Sequence, residues 1–294
     1  MVTSWETALS ECVRQAQAPR WQRVLRQPIQ HIAPRVALFA GNVIEREART
    51  FWGESLQVLL PERVSTRIWR YGFFEEDVCR FLLRCLQAGD TFVDIGAHYG
   101  FFTRLGAALV GAQGRVVAFE PTPHTFAQLQ KNTAGLAHVN AMLLAAYSKA
   151  SELTLCDFGI EYAAYNSAYG LRESDAQAVQ RVAPTPFVAQ ARPLDDVLNE
   201  LGVTNVRLVK IDAESAELHV LQGMQKTLKT MRPSIILEVG DFELAGVPRT
   251  RELCEFLTAY DYLSQAWHNG ALVKPNSVLA VAPANWLFQP RENA

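Results

Sequence analysis

The chain has 294 residues, 49% of them apolar and 20% charged, which excludes disordered, collagen-like and mucin-like classes. With 28 Lys and Arg against 30 Asp and Glu the net charge is -2, so no global positive field recommends nucleic acid or an anionic membrane as partner, although a local basic patch stays open. At about 150 residues per domain the length fits two domains or one large α/β domain.

The N-terminus, Met1-Val-Thr-Ser-Trp-Glu, lacks the charged and apolar regions of a secretory signal, and a cytoplasmic protein is expected. Cys12, Cys79, Cys85, Cys156 and Cys254 are scattered, with no C-x-x-C pair and no His at zinc-ligand spacing, so they read as reduced thiols. Apolar runs such as Leu105 to Ala112 are far shorter than the roughly 20 residues of a spanning helix, and no membrane partner is expected.

Residues 1–88 read as an N-terminal cap. Leu9, Cys12, Val13 and Ala16 lie at helical spacing, and Trp5, Trp21, Trp52 and Trp69 all fall in this zone. From Ser55 to Tyr71 the alternation Leu56, Val58, Leu60, then Val64, Thr66, Ile68 predicts a small β-hairpin turning at Pro61-Glu62. Val78, Phe81, Leu82 and Cys85 predict a helix over Glu75 to Leu86, which Gly89 ends.

Residues 89–294 read as the main domain. β-type runs at Thr91–Ile95, Val116–Glu120, Asn140–Ala146, Val206–Ile211 and Ser234–Val239 alternate with helix-like stretches, the order of a doubly wound α/β fold with a mostly parallel sheet. Runs at Asp261–Ser264 and Val278–Ala282, joined through Asn269-Gly270 and Pro275-Asn276, add antiparallel edges for about seven strands. Residues 157–186 are too long for an ordinary α/β connection and read as a lid-like insertion, with Tyr162, Tyr165 and Tyr169 at spacing that puts three phenols on one side.

The first strand of this domain runs into Val93-Asp94-Ile95-Gly96-Ala97-His98-Tyr99-Gly100 and then the helical Phe101-Phe102-Thr103. Gly96 permits a sharp turn and close approach of a ligand, and Gly100 permits the helix start to pack near the strand. Only G-x-x-x-G is present, which disfavours a nicotinamide dinucleotide, and no Gly-Lys-Ser/Thr follows to make a P-loop. Glu120 closes the next strand 24 positions after Gly96, where a carboxylate can accept both hydroxyls of a ribose; alternatively it is an acid at a helix N-terminus. The fourth strand ends Lys210-Ile211-Asp212-Ala213-Glu214-Ser215-Ala216-Glu217, with Asp212 at its tip, Lys210 on the same face as Asp212, and Glu214 and Glu217 at the following helix.

The stretch from about Gly89 to Gly240 resembles the FkbM family of S-adenosylmethionine-dependent methyltransferases. The likeness rests on the Val93 to Thr103 block, Ala118-Phe-Glu-Pro, Leu194-Asp-Asp-Val, Lys210-Ile-Asp-Ala-Glu-Ser-Ala-Glu, Leu221-Gln-Gly-Met and Arg232-Pro-Ser-Ile-Ile-Leu-Glu. One departure is Ser215, where the family usually carries Gly. The resemblance implies a class I methyltransferase (Rossmann-like) fold and S-adenosylmethionine as cofactor. It implies that Asp94 and the turn Gly96, Ala97, His98, Tyr99 and Gly100 hold the amino-acid end, that Glu120 takes the ribose diol, that Pro121 borders the adenine, and that Asp212 is a further cofactor-binding residue.

A hydroxyl acceptor needs its proton removed during attack, and Asp212 is the first candidate base, with His98 and His219 behind it and His124 last. A divalent metal on Asp212 and Glu238 is not favoured, because no third ligand is evident. The reading is an O-methyltransferase acting on a hydroxyl of a small natural product or sugar, without nucleic acid. An amine acceptor and a catalytically inactive scaffold are the alternatives, and a homodimer contact through the aromatic N-terminal zone is a further option.

Overall fold

The computed structural model describes residues 2–165, 183–241, 247–268, 271–275 and 284–293. Helices α1 (Val2–Gln17), α2 (Arg20–Arg26) and α3 (Pro28–Ala40) lead into strands β1 (Ile44–Arg49) and β2 (Ser55–Leu60), then helices α4 (Arg63–Tyr71) and α5 (Glu76–Cys85). A hairpin is present, but not where alternation placed it: β2 pairs antiparallel with the upstream β1, and residues 63–71 are helical. The buried Glu62 decides this, its carboxylate accepting from the N–H groups of Val64 (2.8 Å) and Ser65 (2.6 Å), the bonds that start a helix. β1 offered no apolar alternation to read, since Ala48 alone of its residues is buried.

The main part runs β3 (Thr91–Ile95), α6 (Phe101–Val110), β4 (Arg115–Phe119), α7 (Pro123–Thr133), β5 (Val139–Met142), β6 (Ala145–Ala146), β7 (Ser151–Asp157) and β8 (Thr185–Arg192). It continues through α8 (Leu194–Glu200), β9 (Leu208–Ile211), α9 (Glu217–Gln222), α10 (Gln225–Thr230), β10 (Ser234–Val239), α11 (Thr250–Thr258), β11 (Tyr262–His268), β12 (Ala271–Val273) and β13 (Ala284–Pro290). Among the described residues the central sheet has eight strands rather than seven, in the order β12-β11-β13-β10-β9-β3-β4-β5. Strands β5, β4, β3, β9 and β10 are parallel to their neighbours in that row, and β13, β11 and β12 pair antiparallel. The expected strand at Val278–Ala282 lies outside the described residues, and the antiparallel partner of β10 is β13.

The run Asn140–Ala146 divides: β5 ends the central sheet, while β6 leaves it for a small sheet ordered β6-β8-β7. β7 and β8 are thus the two legs of the predicted insertion, and a 3-10 segment at Ile160–Tyr165 follows the first leg. Tyr169 lies outside the described residues.

Alternation along the central strands sorts their side chains onto two faces. Phe92, Val116 and Leu208 join Leu9, Phe51, Trp52, Leu82, Phe101 and Leu105 in one apolar cluster, so the N-terminal helices and hairpin cover one face of the sheet directly. Val93, Val117, Phe119, Val209 and Ile211 join Leu194, Leu198, Leu228 and Leu253 on the other. Asp94 and Lys210 take the alternate positions of β3 and β9, and so point toward the face covered by the N-terminal elements.

Candidate active site

The turn after β3 is forced by its neighbours. Gly96 has φ 74°, its N–H and that of Ala97 donate to the Phe119 carbonyl (3.1 and 2.9 Å), and a Cβ on it would lie 1.8 Å from the Asp212 carbonyl oxygen. Gly100 has φ 88°, and a Cβ there would meet Leu129 Cδ1 at 2.8 Å, where the start of α6 packs on α7. His98 between them also has positive φ, 50°, which points its backbone N–H at Glu120 Oε2 (3.0 Å).

Lys210 organises the acids behind the turn. Its buried ammonium donates to Asp212 Oδ2 (3.2 Å) and the Gly96 carbonyl (3.3 Å), lies 3.7 Å from Asp94 Oδ1, and stands 5.2 Å over the Phe102 ring. Burial works to lower its pKa, but Asp212, Asp94 and Glu75 together outweigh that and raise it, so the lysine stays charged. Asp94 is fully buried, accepts from Thr103 Oγ1 (2.6 Å), and keeps Oδ1 without a hydrogen-bond partner. Burial raises its pKa against the pull of Lys210. Asp94 therefore sits behind the turn and positions it through Lys210, instead of lining the cleft.

Glu120 stands at the tip of β4. Its Oε1 accepts from Thr122 N–H (2.9 Å) and its Oε2 from His98 N–H, and burial pushes its pKa up to about 7. Each carboxylate oxygen has a further lone pair, so the two hydroxyls of a ribose still find acceptors. Tyr99 is buried with its hydroxyl unpartnered, and burial raises its pKa. Burial takes the His98 imidazole down to about 3. The ring lines the cleft and keeps Nε2 buried without a partner, while its backbone N–H serves Glu120.

At the tip of β9, Asp212 is held by Lys210, and its N–H donates to the Ile95 carbonyl (3.1 Å). Glu214 and Ser215 both adopt positive φ, 46° and 81°. The serine thus takes a left-handed backbone that a glycine adopts without cost. Glu217 turns back to accept from the N–H groups of Ala213 and Ser215 (3.1 Å each), and burial raises its pKa to about 7. It supports this loop and does not face the cleft.

A further carboxylate arrives from the N-terminal part. Glu75, just before α5, has φ 42°, lines the cleft, and keeps Oε2 buried without a partner. Burial first, then the neighbouring Asp212 carboxylate, push its pKa up to about 8. Sequence reading missed it, because Glu75-Glu76-Asp77 ahead of an apolar periodic run looks like ordinary helix N-terminal acid.

These groups line one cleft of about 1370 Å³, counting the solvent at its mouth. One end carries Gly96, Ala97, His98, Tyr99, Glu120 and Pro121; the middle carries Lys210, Asp212, Glu75 and Glu238; and Leu56, Val58, Val64, Ile68, Leu153 and Leu155 form apolar walls from the hairpin, α4 and the small sheet. His219 is not on this wall: it stacks on Tyr147, itself a lining residue, at 4.3 Å, and pairs with Ser148 Oγ at 3.4 Å. His124 pairs with Asp157 (3.1 Å), also away from the lining.

Two further motifs are scaffold. Asp195 accepts from Lys226 N–H (2.8 Å), Thr227 N–H (2.9 Å) and Thr227 Oγ1 (2.6 Å), satisfying the start of α10. A Cβ on Gly223 would lie 2.0 Å from the Tyr147 carbonyl, so this glycine lets α9 pass against the cleft wall.

Residues 94–264 match the family model for the methyltransferase FkbM domain. The chain belongs to the FkbM methyltransferase family. Hexuronic acid methyltransferase AglP of Haloferax volcanii is 25% identical over 174 residues, 58% of this chain and 66% of its own. Methyltransferase sdnD of Sordaria araneosa is 26% identical over 193 residues, 58% of this chain and 73% of its own. The chain thus spans about two thirds of the length of these relatives. Among solved structures, the FkbM methyltransferase of Methylobacillus flagellatus is similar at TM-score 0.45 and 13% identity, covering 90% of this chain and 59% of that one.

Proposed function

We propose that this FkbM protein transfers the methyl group of S-adenosylmethionine to a hydroxyl of a sugar or other small polyhydroxylated natural product. The observation that carries the reading is the continuity of the cleft, in which the glycine turn and Glu120 lead directly to Asp212 and Glu75 and then to an apolar chamber. The buried unpartnered atoms of lining residues on this path, Glu75 Oε2, His98 Nε2 and the Tyr99 hydroxyl, are polar groups that a ligand would satisfy. Hexuronic acid, the substrate in the name of the archaeal relative, is itself polyhydroxylated, which supports a sugar.

When bound, S-adenosylmethionine supplies an activated methyl on a cationic sulfonium. Glu120 would hold the ribose diol, the Gly96 to Tyr99 turn would receive the amino-acid end, and Pro121 would border the base. Asp212 and Glu75 flank the passage to the chamber and take the acceptor proton, Asp212 being the first of the two because Lys210 fixes its orientation. The alignment of acceptor oxygen and methyl carbon comes from the walls of β2, α4 and the small sheet.

Calorimetric titration with S-adenosylhomocysteine, beside NAD as a control, tests the reading, together with transfer of labelled methyl to a panel of sugars. The unmodified protein binds the first and not the second. Glu120→Ala weakens binding by about 1.5–3 kcal/mol, the value of hydrogen bonds to a charged group. Asp212→Asn retains binding and lowers turnover by about 10²–10⁴. Undiminished binding in Glu120→Ala removes the ribose assignment, and binding without transfer to any hydroxylated acceptor removes O-methylation.

A further inference from the structure

The overall charge gives no reason to expect a membrane partner, but its local distribution does. Between Glu11 and Glu45 there is no acidic residue, and the interval holds Arg14, Arg20, Arg23, Arg26 and Arg35. The same interval forms α2 and α3, which carry the main group of exposed large apolar side chains: Trp21 (63% exposed), Leu25 (72%), Ile29 (68%), Ile32 (54%), Val36 (53%) and Phe39 (96%), with Leu38 (53%) exposed off their stripe.

On α3 these side chains have a face of their own. At 100° per residue, Ile29, Ile32, Val36 and Phe39 fall on one stripe, and the buried His31, Pro34 and Ala37 fall nearly opposite, against the rest of the protein. The helix is therefore packed by one side and presents a second apolar side outward. Arg35 borders that outward stripe, and Arg20 and Arg26 flank Trp21 and Leu25 on α2; all three are exposed. Arg23 and Arg70 tie the pair down, donating to the Tyr71 hydroxyl (2.9 Å) and the Gln30 carbonyl (3.2 Å). The arginines crowd enough that Arg70, Arg23, Arg35 and Arg20 add to burial in lowering the pKa of His31.

We propose that α2 and α3 form a docking surface for an anionic lipid bilayer, with Trp21, Leu25, Ile29, Ile32, Val36 and Phe39 entering the headgroup boundary and Arg20, Arg26 and Arg35 meeting lipid phosphates. An amphipathic helix with aromatic and aliphatic residues on one face and cations beside it binds in this way. The charge selects this occupant over a second copy of the chain, because a two-fold contact would set the same arginine-bearing helices against themselves. The surface also lies one layer outside the cleft: α3 packs on β2 and α4, whose inner sides carry Leu56, Val58, Val64 and Ile68 of the cleft wall.

The test is flotation of the full chain with vesicles of phosphatidylcholine alone and of phosphatidylcholine mixed with phosphatidylglycerol, at low and high salt. The protein floats with the anionic vesicles only, and high salt releases it. At about fivefold per arginine, Arg20→Glu with Arg26→Glu and Arg35→Glu weakens partition by at least about a hundredfold. Trp21→Ser with Phe39→Ser also abolishes flotation, while thermal unfolding and S-adenosylhomocysteine binding stay unchanged because these side chains are exposed. Absence of flotation, equal flotation on both vesicles, or undiminished flotation of the Trp21 and Phe39 variant overturns the proposal. A dimer in light scattering that the Trp21 and Phe39 substitutions dissolve, with no vesicle binding, assigns the face to a second copy instead.

Discussion

Replacing Lys210 by Met tests the electrostatic account of the site. The methionine keeps the length of the apolar stem against Phe102, but removes the ammonium that lies 3.7 Å from Asp94 and 3.2 Å from Asp212. Breaking a buried pair by removing one partner costs about 3–5 kcal/mol, because the other charge is left uncompensated. Asp94 has a fully buried side chain and bears most of this; the Asp212 side chain is 29% exposed and recovers part of its loss from water, so about 3 kcal/mol is expected. At roughly 2–4 °C per kcal/mol the melting temperature falls by about 6–12 °C. Burial already raises the pKa of Asp94 and Lys210 pulls it down, so without the ammonium its folded value lies further above the unfolded one and the native variant binds more protons than the unfolded chain. Its stability is then greatest below the unfolded values and falls as pH rises, and the deficit against the unmodified protein is smaller at about pH 5 than at about pH 8. Thermal unfolding followed by circular dichroism at both values reads this directly. A melting temperature unchanged in the variant, or a deficit of equal size at both pH values, refutes the reasoning.

The unmodified, ligand-free protein has its own pH dependence: Glu62, Glu120 and Glu217 are pushed up to about 7 and Glu75 to about 8, chiefly by burial. Folded values above the unfolded ones mean stability that is lost as pH rises from about 4.5 toward 8, and a melting temperature that climbs over that interval contradicts it. Gly96→Ala puts a methyl carbon 1.8 Å from a backbone carbonyl at a φ of 74°, so S-adenosylhomocysteine binding is lost and melting drops; calorimetry on a variant that binds normally removes the close-approach argument. Ser215→Gly relieves about 1–2 kcal/mol of left-handed backbone strain against about 0.4–1 kcal/mol of added unfolded-chain entropy, so the variant is more stable by about 0.5–1 kcal/mol in denaturant titration. A less stable variant shows that the serine side chain contributes more than its backbone costs.

The parallel core and the turn after β3 were legible because each is a local pattern: short β-branched runs between helical stretches, and two glycines at fixed distance from a strand end. Glu120 and Asp212 followed from the rule that strand tips share one crevice. The hairpin was misplaced because Val64, Thr66 and Ile68 satisfy a two-residue period while Ser65 and Ile68 satisfy a helical one, and only the buried Glu62 cap chooses between them. Lys210 was visible as a partner of Asp212, but its reach to Asp94 depends on the pairing of β3 with β9 across 114 residues from the Gly96 carbonyl it also holds. The small sheet stayed hidden because β6 is two residues long and pairs with a strand on the far side of the insertion.

Glu75 explains why the N-terminal part cannot be treated as an appendage. Period-two alternation turns Asp94 and Lys210 toward the face that α5 and α6 cover, so the charges behind the glycine turn face the N-terminal elements rather than bulk water. A lysine buried there needs countercharge, and Glu75 raises its pKa together with Asp212 and Asp94. The same packing leaves Glu75 Oε2 without a protein partner at the point where the cleft passes from the turn to the apolar walls. One carboxyl group thus neighbours both the buried charges at the sheet edge and the passage through the cleft. A shift of α5 relative to the sheet would therefore move a carboxyl group that lines the cleft.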